Sequence, residues 1–463
     1  MILTDKQKRD LMQEYSVWEE DDKGNAKLIL PNLGELIYDG LNLHFLTTED
    51  NKEVYCYNGG YYESNGEQII KNLVEQFLEK GTKEYFKNEV YGYIRDLNYQ
   101  KREIFNPPVN LINLQNGVFN AETGELLEHD HGYYFLNELP VTYDPIAKCP
   151  NIKKFLNQVV YKGDIPTIQE FFGYCLYRRY HIHKACMFLG GGRNGKSTAL
   201  SLLKHLLGAN NVANKELQAL VYNRFAVAAL YGKLANVSAD ISNKSLERTG
   251  LFKSLTGGDT VDAEKKFKDS FSFVNVAKLI FSANQLPKSE DDTYAFFSRW
   301  LLISFPNTFE GKKCKPNILE ELTTQEELSG LFNWSIEGLK RLLKNGTFTY
   351  GKTVDEVMNQ YKTMSDPVYA YCQEFLKCET GGHIPKATLW EHYVKWCTKN
   401  KLPVTPKNIL TQDLSKHLPE IRTGKVGGMG NQKPAFMDIN WQKEQKKGQK
   451  SLNPDMELTG GEV

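Results

Sequence analysis

Apolar and polar residues change their spacing along the chain, and the longest regular pattern lies between residues 185 and 306. There, short apolar runs alternate with segments of helical spacing, which is typical of a three-layer α/β domain. Buried strands are predicted over residues 184–189, 233–240, 276–284 and 301–305, and a helix over 197–207 with Gly208 as its C-cap. Residues 307–362 have helical spacing with one apolar stripe, and we interpret them as a lid or linker.

The segment before this domain is rich in Tyr and Phe and predicts a mixed α+β accessory domain over residues 1–145. A β-hairpin is expected between Leu114 and Leu127. The aromatic residues from Tyr55 to Tyr62 can stack nucleic-acid bases, although packing on a strand face is the favoured interpretation. Several prolines between residues 140 and 150 mark a connector, and a helix with one apolar face is predicted over 167–177.

We place the α/β domain at residues 146–362. A separate small unit follows it. In residues 363–442, a helix is predicted from an N-cap at Thr405 to about His417, followed by a glycine-tipped hairpin over 421–439. This order predicts a winged helix, used either for DNA or only for protein contacts. The cations expected to meet DNA phosphates include Lys407, Arg422 and Lys425. Residues 443–463 are predicted to be a disordered tail.

Charge, hydropathy and cysteine content bear on what the protein binds and on the compartment in which it is expected. The 463 residues carry zero net charge, but residues 401–450 hold ten bases against four acids, so attraction for phosphate backbones is expected there. No apolar run is long enough for a membrane span, and the first residues are charged where a signal peptide needs apolar ones, so a cytoplasmic protein is expected. The eight cysteines lie scattered and are expected to be buried, reduced thiols.

The strongest chemical signal is a glycine-rich loop between a predicted strand and a predicted helix. It fits the phosphate-binding pattern G-x-x-x-x-G-K-[ST] and predicts an ATP site. In such a loop, backbone N–H groups surround the phosphates, the lysine neutralises them and the first hydroxyl binds Mg²⁺. The candidate residues are Gly190, Gly191, Gly192, Arg193, Asn194, Gly195, Lys196, Ser197 and Thr198.

Three further residues are candidates for the chemistry of ATP hydrolysis. Asp240 ends a predicted strand and is expected to bind Mg²⁺ with Ser197, unless it is an ordinary exposed strand end. Asn284 ends another strand and can orient water or sense the γ-phosphate, although Asn before Gln-Leu-Pro also forms turns. Arg299 can reach a γ-phosphate held by a neighbouring subunit, with a structural salt bridge as the alternative.

A second hairpin is predicted between the strands that end at Asp240 and Asn284. Residues 261–273 alternate like two strands, with basic and aromatic residues near the tip. If this tip projects into a ring channel, it can hold a single strand by charge and stacking; otherwise it is an ordinary surface hairpin. The candidate DNA-binding residues are Lys265, Lys266, Phe267 and Lys268.

Together these elements resemble superfamily-three (AAA+-like) helicases, in particular the C-terminal helicase half of phage and plasmid primase-helicases. Poxvirus and pathogenicity-island Rep replication initiators are akin to this family. The front part resembles its pre-helicase region at residues 57–62, 116–118 and 139–145. Four segments resemble the ATPase motifs of the family: residues 194–198, Lys253 with 256–259, residues 282–284 and residues 298–299.

This resemblance implies a homohexamer in a bacterial host, with DNA threaded through the ring and the hairpin lysines lining the channel. It also suggests a self-loading initiator whose winged helix recognises an origin. Longer relatives carry a zinc-binding primase module, for which this chain lacks the length and the cysteines, so a separate primase is an expected partner. The alternatives are an origin-binding initiator that uses ATP only as an assembly switch and a small-molecule kinase, which leaves residues 366–442 without a purpose.

Overall fold

The computed structural model describes residues 3–239, 241–242, 244–266, 269–311, 315–400, 402, 404–428 and 431–442. Asp240, Phe267, Lys268 and the predicted tail over residues 443–463 lie outside the described residues. The predictions made for them therefore stay predictions.

The described residues of the front part form four α-helices and nine short strands. They are α1 (Asp5–Glu14), β1 (Trp18–Glu20), β2 (Ala26–Leu28), α2 (Leu30–Glu35), β3 (Phe45–Thr48), β4 (Val54–Tyr57), β5 (Tyr62–Glu63), α3 (Gly66–Leu78), α4 (Glu84–Leu97), β6 (Tyr99–Gln100), β7 (Leu111–Leu114), β8 (Gly117–Asn120) and β9 (Leu126–Leu127). Strands β5-β4-β3-β6 form one sheet, and β7-β8-β9 form another that contains the predicted hairpin. Tyr55 and Tyr62 are buried, which confirms the packing interpretation for these two rings.

The middle part is built on a parallel sheet. Its elements are α5 (Pro150–Val159), α6 (Ile165–Leu176), β10 (Ala185–Leu189), α7 (Lys196–Leu207), β11 (Val212–Ala213), α8 (Leu217–Tyr222), α9 (Arg224–Ala228), β12 (Ala235–Ser238), α10 (Gly250–Gly257), β13 (Thr260–Glu264), β14 (Ser270–Val274), β15 (Lys278–Ala283), α11 (Tyr294–Phe297), β16 (Trp300–Ser304), α12 (Ile318–Leu322), α13 (Gln325–Asn345) and α14 (Val354–Ser365). Five strands lie in the order β11-β12-β15-β10-β16, and every neighbouring pair is parallel.

Both faces of this sheet are covered. Cys186 and Phe188 of β10 pack in one core with α5, α6, α7 and α13, whereas Met187 and Leu189 pack in a second core with α8, α10 and α14. Because successive side chains of a strand point to opposite faces, a wholly apolar strand needs such a cover on each side. The α/β prediction is therefore confirmed, and the structure adds that the sheet is parallel.

Helix α6 differs from its prediction. It was expected to have one apolar face, but each residue from Thr167 to Leu176 is buried. The reason is α13, which packs along α6 in the same core. The buried carboxylate of Glu170 is satisfied by Arg341 Nε at 2.6 Å and by the backbone N–H of Thr349 at 2.6 Å.

The last part is a small unit with its own core. Its elements are α15 (Pro367–Phe375), β17 (Leu376–Pro385), α16 (Lys386–Lys399), α17 (Lys407–His417), β18 (Arg422–Val426) and β19 (Lys433–Trp441). The hairpin of β18 and β19 was predicted, whereas β17, which pairs with β19, was missed because Gly381 and Gly382 interrupt its apolar pattern. Thr405 is not the N-cap of α17; Pro406 is, and the Thr405 hydroxyl accepts a hydrogen bond from Tyr393.

Among the described helices, none combines the length and the apolar character that crossing a membrane requires. Six of the seven described cysteines are buried and Cys378 is half-buried, and all seven are free thiols. Within the same described part of the chain, no cluster of three or more His, Cys, Asp or Glu side chains is arranged to hold a metal ion.

Candidate functional site

The loop between β10 and α7 is closed on one side and open on the other. A Cβ atom on Gly190 would lie 2.2 Å from Asn194 Nδ2 and 2.6 Å from the Phe305 carbonyl, so this residue must be glycine. Cβ atoms on Gly191 and Gly192 would meet nothing within 4 Å. Positive φ angles occur at Gly190, Arg193 and Gly195. The loop thus turns its backbone toward open space at the start of a helix, where N–H groups and the helix dipole favour an anion.

Lys196 is the first residue of α7 and is 5% exposed. Its Nζ lies 2.6 Å from the Gly190 carbonyl, 3.0 Å from the Gly191 carbonyl and 3.2 Å from Asn194 Oδ1. These acceptors belong to the loop itself, so the ammonium group is held over the loop. Ser197 is exposed and Thr198 half-buried in the same first turn.

Asn284 contacts Lys196 at the carboxyl edge of the sheet, which is the side where the parallel strands end. Its Oδ1 accepts a hydrogen bond of 3.0 Å from Lys196 Nζ. The contact follows from strand order, because β15 lies beside β10 in parallel register, with Ala283 opposite Leu189. The carboxyl ends of both strands therefore bring the loop and Asn284 together. Strand β12, on the far side of β15, ends at Ser238.

Arg299 lies at the opposite side, the amino edge of the sheet, where the parallel strands begin. It immediately precedes β16, and its carbonyl accepts a hydrogen bond from the N–H of Ala185, the first residue of β10. Five strand residues separate this point from the loop, a distance of about 16 Å. The site therefore brings together Lys196, Asn194 and Asn284, but not Arg299.

The guanidinium of Arg299 is held by neutral groups. Nε donates to Thr256 Oγ1 at 3.1 Å, and Nη1 donates to the Ala295 carbonyl at 2.5 Å. Burial lowers the pKa of Arg299, and Asp259 opposes this shift from a distance. No carboxylate of the described residues lies within ion-pair distance of Arg299, so the salt-bridge alternative has no partner among them.

A network around Asp291 was missed by the sequence patterns. Its carboxylate accepts hydrogen bonds from the Thr249 hydroxyl, from Lys253 Nζ at 2.9 Å, and from the backbone N–H and hydroxyl of Thr293. Burial alone would raise the pKa of Asp291, but these bonds hold it well below its usual range. The network fixes the start of α11, which leads to Arg299. The spacing Asp-x-Thr before a short helix is the signal that could have revealed it.

The hairpin of β13 and β14 forms as predicted, and the structure describes two of its four candidate DNA-binding residues. Lys266 is exposed. Lys265 instead contacts the front part of the chain, with Nζ 2.9 and 3.1 Å from the two carboxylate oxygens of Glu53. No local pattern indicated this pair, because 212 residues separate its members. Part of the positive charge expected at the hairpin tip is therefore compensated within the chain.

The candidate cations of the last unit are exposed, with different neighbours. Lys407 Nζ lies 5.7 Å from the centre of the Trp390 ring. Arg422 pairs with Asp438, with an Nη2–Oδ2 distance of 2.6 Å, and Lys425 is exposed on β18.

Family models match three consecutive parts of the chain. Residues 11–160 match "D5 N terminal like", residues 188–299 match a family of unknown function (DUF5906), and residues 363–460 match "Poxvirus D5 protein-like". The middle match contains both the phosphate loop and Arg299.

Two curated relatives are viral proteins. The chain is 27% identical over 244 residues to "Putative helicase L207/L206" of Acanthamoeba polyphaga mimivirus, covering 48% of this chain and 25% of that protein. It is 24% identical over 352 residues to "Putative helicase 121R" of Invertebrate iridescent virus 3, covering 66% and 36%. The chain thus spans between a quarter and about a third of the length of these relatives.

Solved structures of the NrS-1 C-terminal region are also similar. The apo structure has a TM-score of 0.47 and 12% identity, covering 89% of this chain and all of that one. An A-form apo structure has a TM-score of 0.45 and 13% identity, covering 91% and all of that chain.

Proposed function

We propose that this protein is an ATP-dependent replicative DNA helicase, and a self-loading replication initiator, of a phage or other mobile genetic element. The observation that carries the proposal is the separation of two cationic sites on one sheet. The loop with Lys196 and Asn284 lies at the carboxyl edge, and Arg299 lies at the amino edge, about 16 Å away. The viral relatives named as helicases support the same function.

The residues at the carboxyl edge fit ATP and Mg²⁺. The open backbone of Gly191 and Gly192 would bind phosphate oxygens, and Lys196 would exchange its loop acceptors for them. The exposed Ser197 hydroxyl would hold Mg²⁺, and Asp240 stays the predicted second ligand. When bound, the metal neutralises the charge that develops on the phosphates. Asn284, already in contact with Lys196, would orient water or report the nucleotide state.

Arg299 cannot contact a phosphate held by its own loop, because the gap exceeds the length of its side chain. In a ring of identical subunits it would instead act on the nucleotide of a neighbour. Its hydrogen-bond acceptors are a hydroxyl and a carbonyl, so turning toward an anion breaks no ion pair among the described residues. We therefore propose a hexamer in which hydrolysis occurs between subunits.

We also propose a division of labour along the chain, with an accessory domain over residues 1–145, an ATPase over 146–362 and a winged helix over 363–442. The order helix, strand, two helices and two strands supports the winged helix. Exposed Lys407 and Lys425 would contact phosphates of duplex origin DNA. The exposed Lys266 would contact a single strand in the channel. A separate primase would complete the replication machinery.

The test is strand displacement on forked DNA by the purified protein, measured with DNA-stimulated ATP hydrolysis and analytical ultracentrifugation. Wild type should assemble with nucleotide and displace the strand, and Lys196→Ala should not displace it. If the protein assembles and binds origin DNA but displaces no strand, the assembly-switch initiator is the better description. A protein that stays monomeric while hydrolysing ATP at full rate would exclude the ring.

A further inference from the structure

A cavity of about 840 Å³ lies at the amino edge of the parallel sheet, away from the phosphate loop. One wall is the segment 178–183, which leads into β10, and another is the base of the hairpin of β13 and β14, which leads into β15. The third wall is formed by residues 102–109 of the front part. The cavity is thus a cleft between the front part and the ATPase, which we call the basic cleft.

The segment 178–183 lines the basic cleft with nitrogen-bearing side chains. Arg179, His181 and His183 are exposed and line the cleft, whereas Tyr180 and Ile182 between them are buried. This alternation resembles that of a strand, although the segment is irregular, and it turns every second side chain toward the same space.

The arginines of the lining differ in their partners. Arg102 and Arg178 also line the cleft, but Arg102 is paired with Asp50 at 2.6 Å and Arg178 donates to Asn137 Oδ1 at 2.7 Å. Within the described part of the chain, the guanidinium of Arg179 has no carboxylate at ion-pair distance. Of the described residues that line the cleft, Glu103 alone carries a carboxylate.

The surroundings of His181 indicate the sign of the local field. Burial lowers the pKa of His181, and Arg179, Lys278 and His183 lower it further, with no acidic group acting against them. Lys278 lies behind the cleft at the start of β15, where its ammonium contacts the Tyr177 and Val276 carbonyls and the rings of Tyr174 and Tyr180. The exposed, permanently charged Arg179 beside a cavity favours an anionic ligand.

The hairpin side of the cleft offers polar and apolar surface. Thr260 and Ser272 are exposed hydroxyl residues, and Val274 is 51% exposed although it is apolar. Gly258, with φ of +77°, approaches the Tyr180 carbonyl so closely that a Cβ would lie 3.1 Å from it. This glycine turn therefore fits the hairpin base against the 178–183 segment and fixes the shape of the cleft.

We propose that the basic cleft binds the phosphodiester backbone of single-stranded DNA, with Arg179, His181 and His183 as the contacting residues. The inference rests on the proposed DNA-dependent function and adds a contact site apart from the hairpin tip and the winged helix. Phosphate contacts by Arg, hydroxyls and backbone groups are the commonest protein–DNA contacts, and imidazole rings also stack on bases. The cleft shares the hairpin with the exposed Lys266, so one strand can contact both.

The phosphates of a nucleotide bound to a neighbouring subunit offer the same ligand chemistry. Thr256, the acceptor of Arg299, is followed directly by Gly257 and Gly258 of the cleft wall, so this second source must be tested. Two measurements separate the sources. One is fluorescence anisotropy of a labelled oligo-dT strand in the presence of a non-hydrolysable ATP analogue. The other is the affinity for a fluorescent ATP analogue without DNA.

The variant is Arg179→Ala with His181→Ala and His183→Ala, which changes exposed side chains. We expect oligo-dT binding to weaken by about tenfold and the salt dependence to lose about one unit of slope, with nucleotide affinity unchanged. Arg179→Lys should retain most of the binding, since it keeps the charge. The matched control is Lys340→Ala with Lys344→Ala, two exposed lysines of α13.

Two results would overturn the proposal. One is DNA binding equal to wild type in the triple variant; the other is a loss of nucleotide affinity with DNA binding kept. Arg179→Glu, a single exposed change, repeats the test if the triple variant has a lowered melting temperature. A wild-type protein that does not bind single-stranded DNA contradicts the proposed function itself, whereas equal binding by wild type and variants contradicts only the basic cleft.

Discussion

The two edges of the parallel sheet hold their cations in different ways. At the carboxyl edge, Lys196 contacts the loop carbonyls, Asn194 and Asn284, all within one small cradle. At the amino edge, cations are held singly by neutral oxygens: Lys184 Nζ by the Ser298 carbonyl, Lys278 by two carbonyls and Arg299 by a hydroxyl and a carbonyl. The acceptors are neutral at both edges, but the carboxyl edge gathers four of them around one ammonium group, whereas the amino edge holds three basic side chains separately.

The proposed site shared between subunits requires such a difference. A carboxylate partner would hold Arg299 in place and neutralise it, whereas weak neutral acceptors position it without cancelling its charge. The same logic applies to the basic cleft at the amino edge.

Removing the cation of the carboxyl edge should have the largest effect. In Lys196→Ala we expect no measurable ATP hydrolysis and an affinity for a fluorescent ATP analogue lowered by at least about tenfold, because the lysine contacts phosphates in both ground and transition states. Lys204→Ala, on the same helix but paired with Asn214, is the control and should behave as wild type. Normal hydrolysis by Lys196→Ala would remove the loop from the mechanism.

Removing the cation of the amino edge should affect hydrolysis alone. In Arg299→Ala we expect hydrolysis to fall by about a thousandfold, the size of effect typical of arginines that act on a neighbour's γ-phosphate, with nucleotide affinity nearly unchanged. Mixing Arg299→Ala with Lys196→Ala should restore part of the activity, because some interfaces then combine an intact loop with an intact arginine. Loss of nucleotide binding in Arg299→Ala, or no recovery in the mixture, would contradict action on a neighbour.

Weakening the support of Arg299 should have a smaller effect. In Asp291→Asn the carboxylate charge facing Lys253 disappears, and we expect a loss of about 1–3 kcal/mol in unfolding free energy, measured by urea denaturation. Hydrolysis should fall by roughly tenfold at unchanged nucleotide affinity, since α11 would position Arg299 less well. Asp292→Asn, which changes the neighbouring exposed carboxylate, is the matched control.

The buried lysine of the amino edge predicts a pH effect on stability. Burial lowers the pKa of Lys278 to about 7, whereas the unfolded chain has the ordinary value of about 10.4. Between pH 7 and 9 the unfolded state therefore binds more protons, and the free energy of unfolding should rise by up to about 1.4 kcal/mol per pH unit from this residue. Below pH 7 both states are protonated and the full cost of burying the charge remains.

The measurement is urea denaturation of wild type and Lys278→Met at pH 7, 8 and 9. The stability of wild type relative to the variant should increase over this range, because methionine does not titrate. Lys344→Met, an exposed change, should show a constant difference. A constant difference for Lys278→Met as well would mean that Lys278 keeps an ordinary pKa.

Local sequence patterns predicted the structure correctly where it depends on residues that are close together in the chain. The loop from Gly190 to Lys196, the helix that follows it and the hairpins at 260–274 and 422–441 all form as predicted, because glycine conformations and alternating side chains act over a few residues. The burial of Tyr55 and Tyr62 also followed from their place on strands.

Other features depended on which elements become neighbours. The strand order brings Asn284 to Lys196 and places Arg299 at the far edge, and no local spacing encodes that order. Glu53 pairs with Lys265 across 212 residues, and α13 buries the polar side of α6. The sequence thus determined the chemistry of each segment, whereas long-range packing decided which groups meet, because burial is gained between surfaces that lie far apart along the chain.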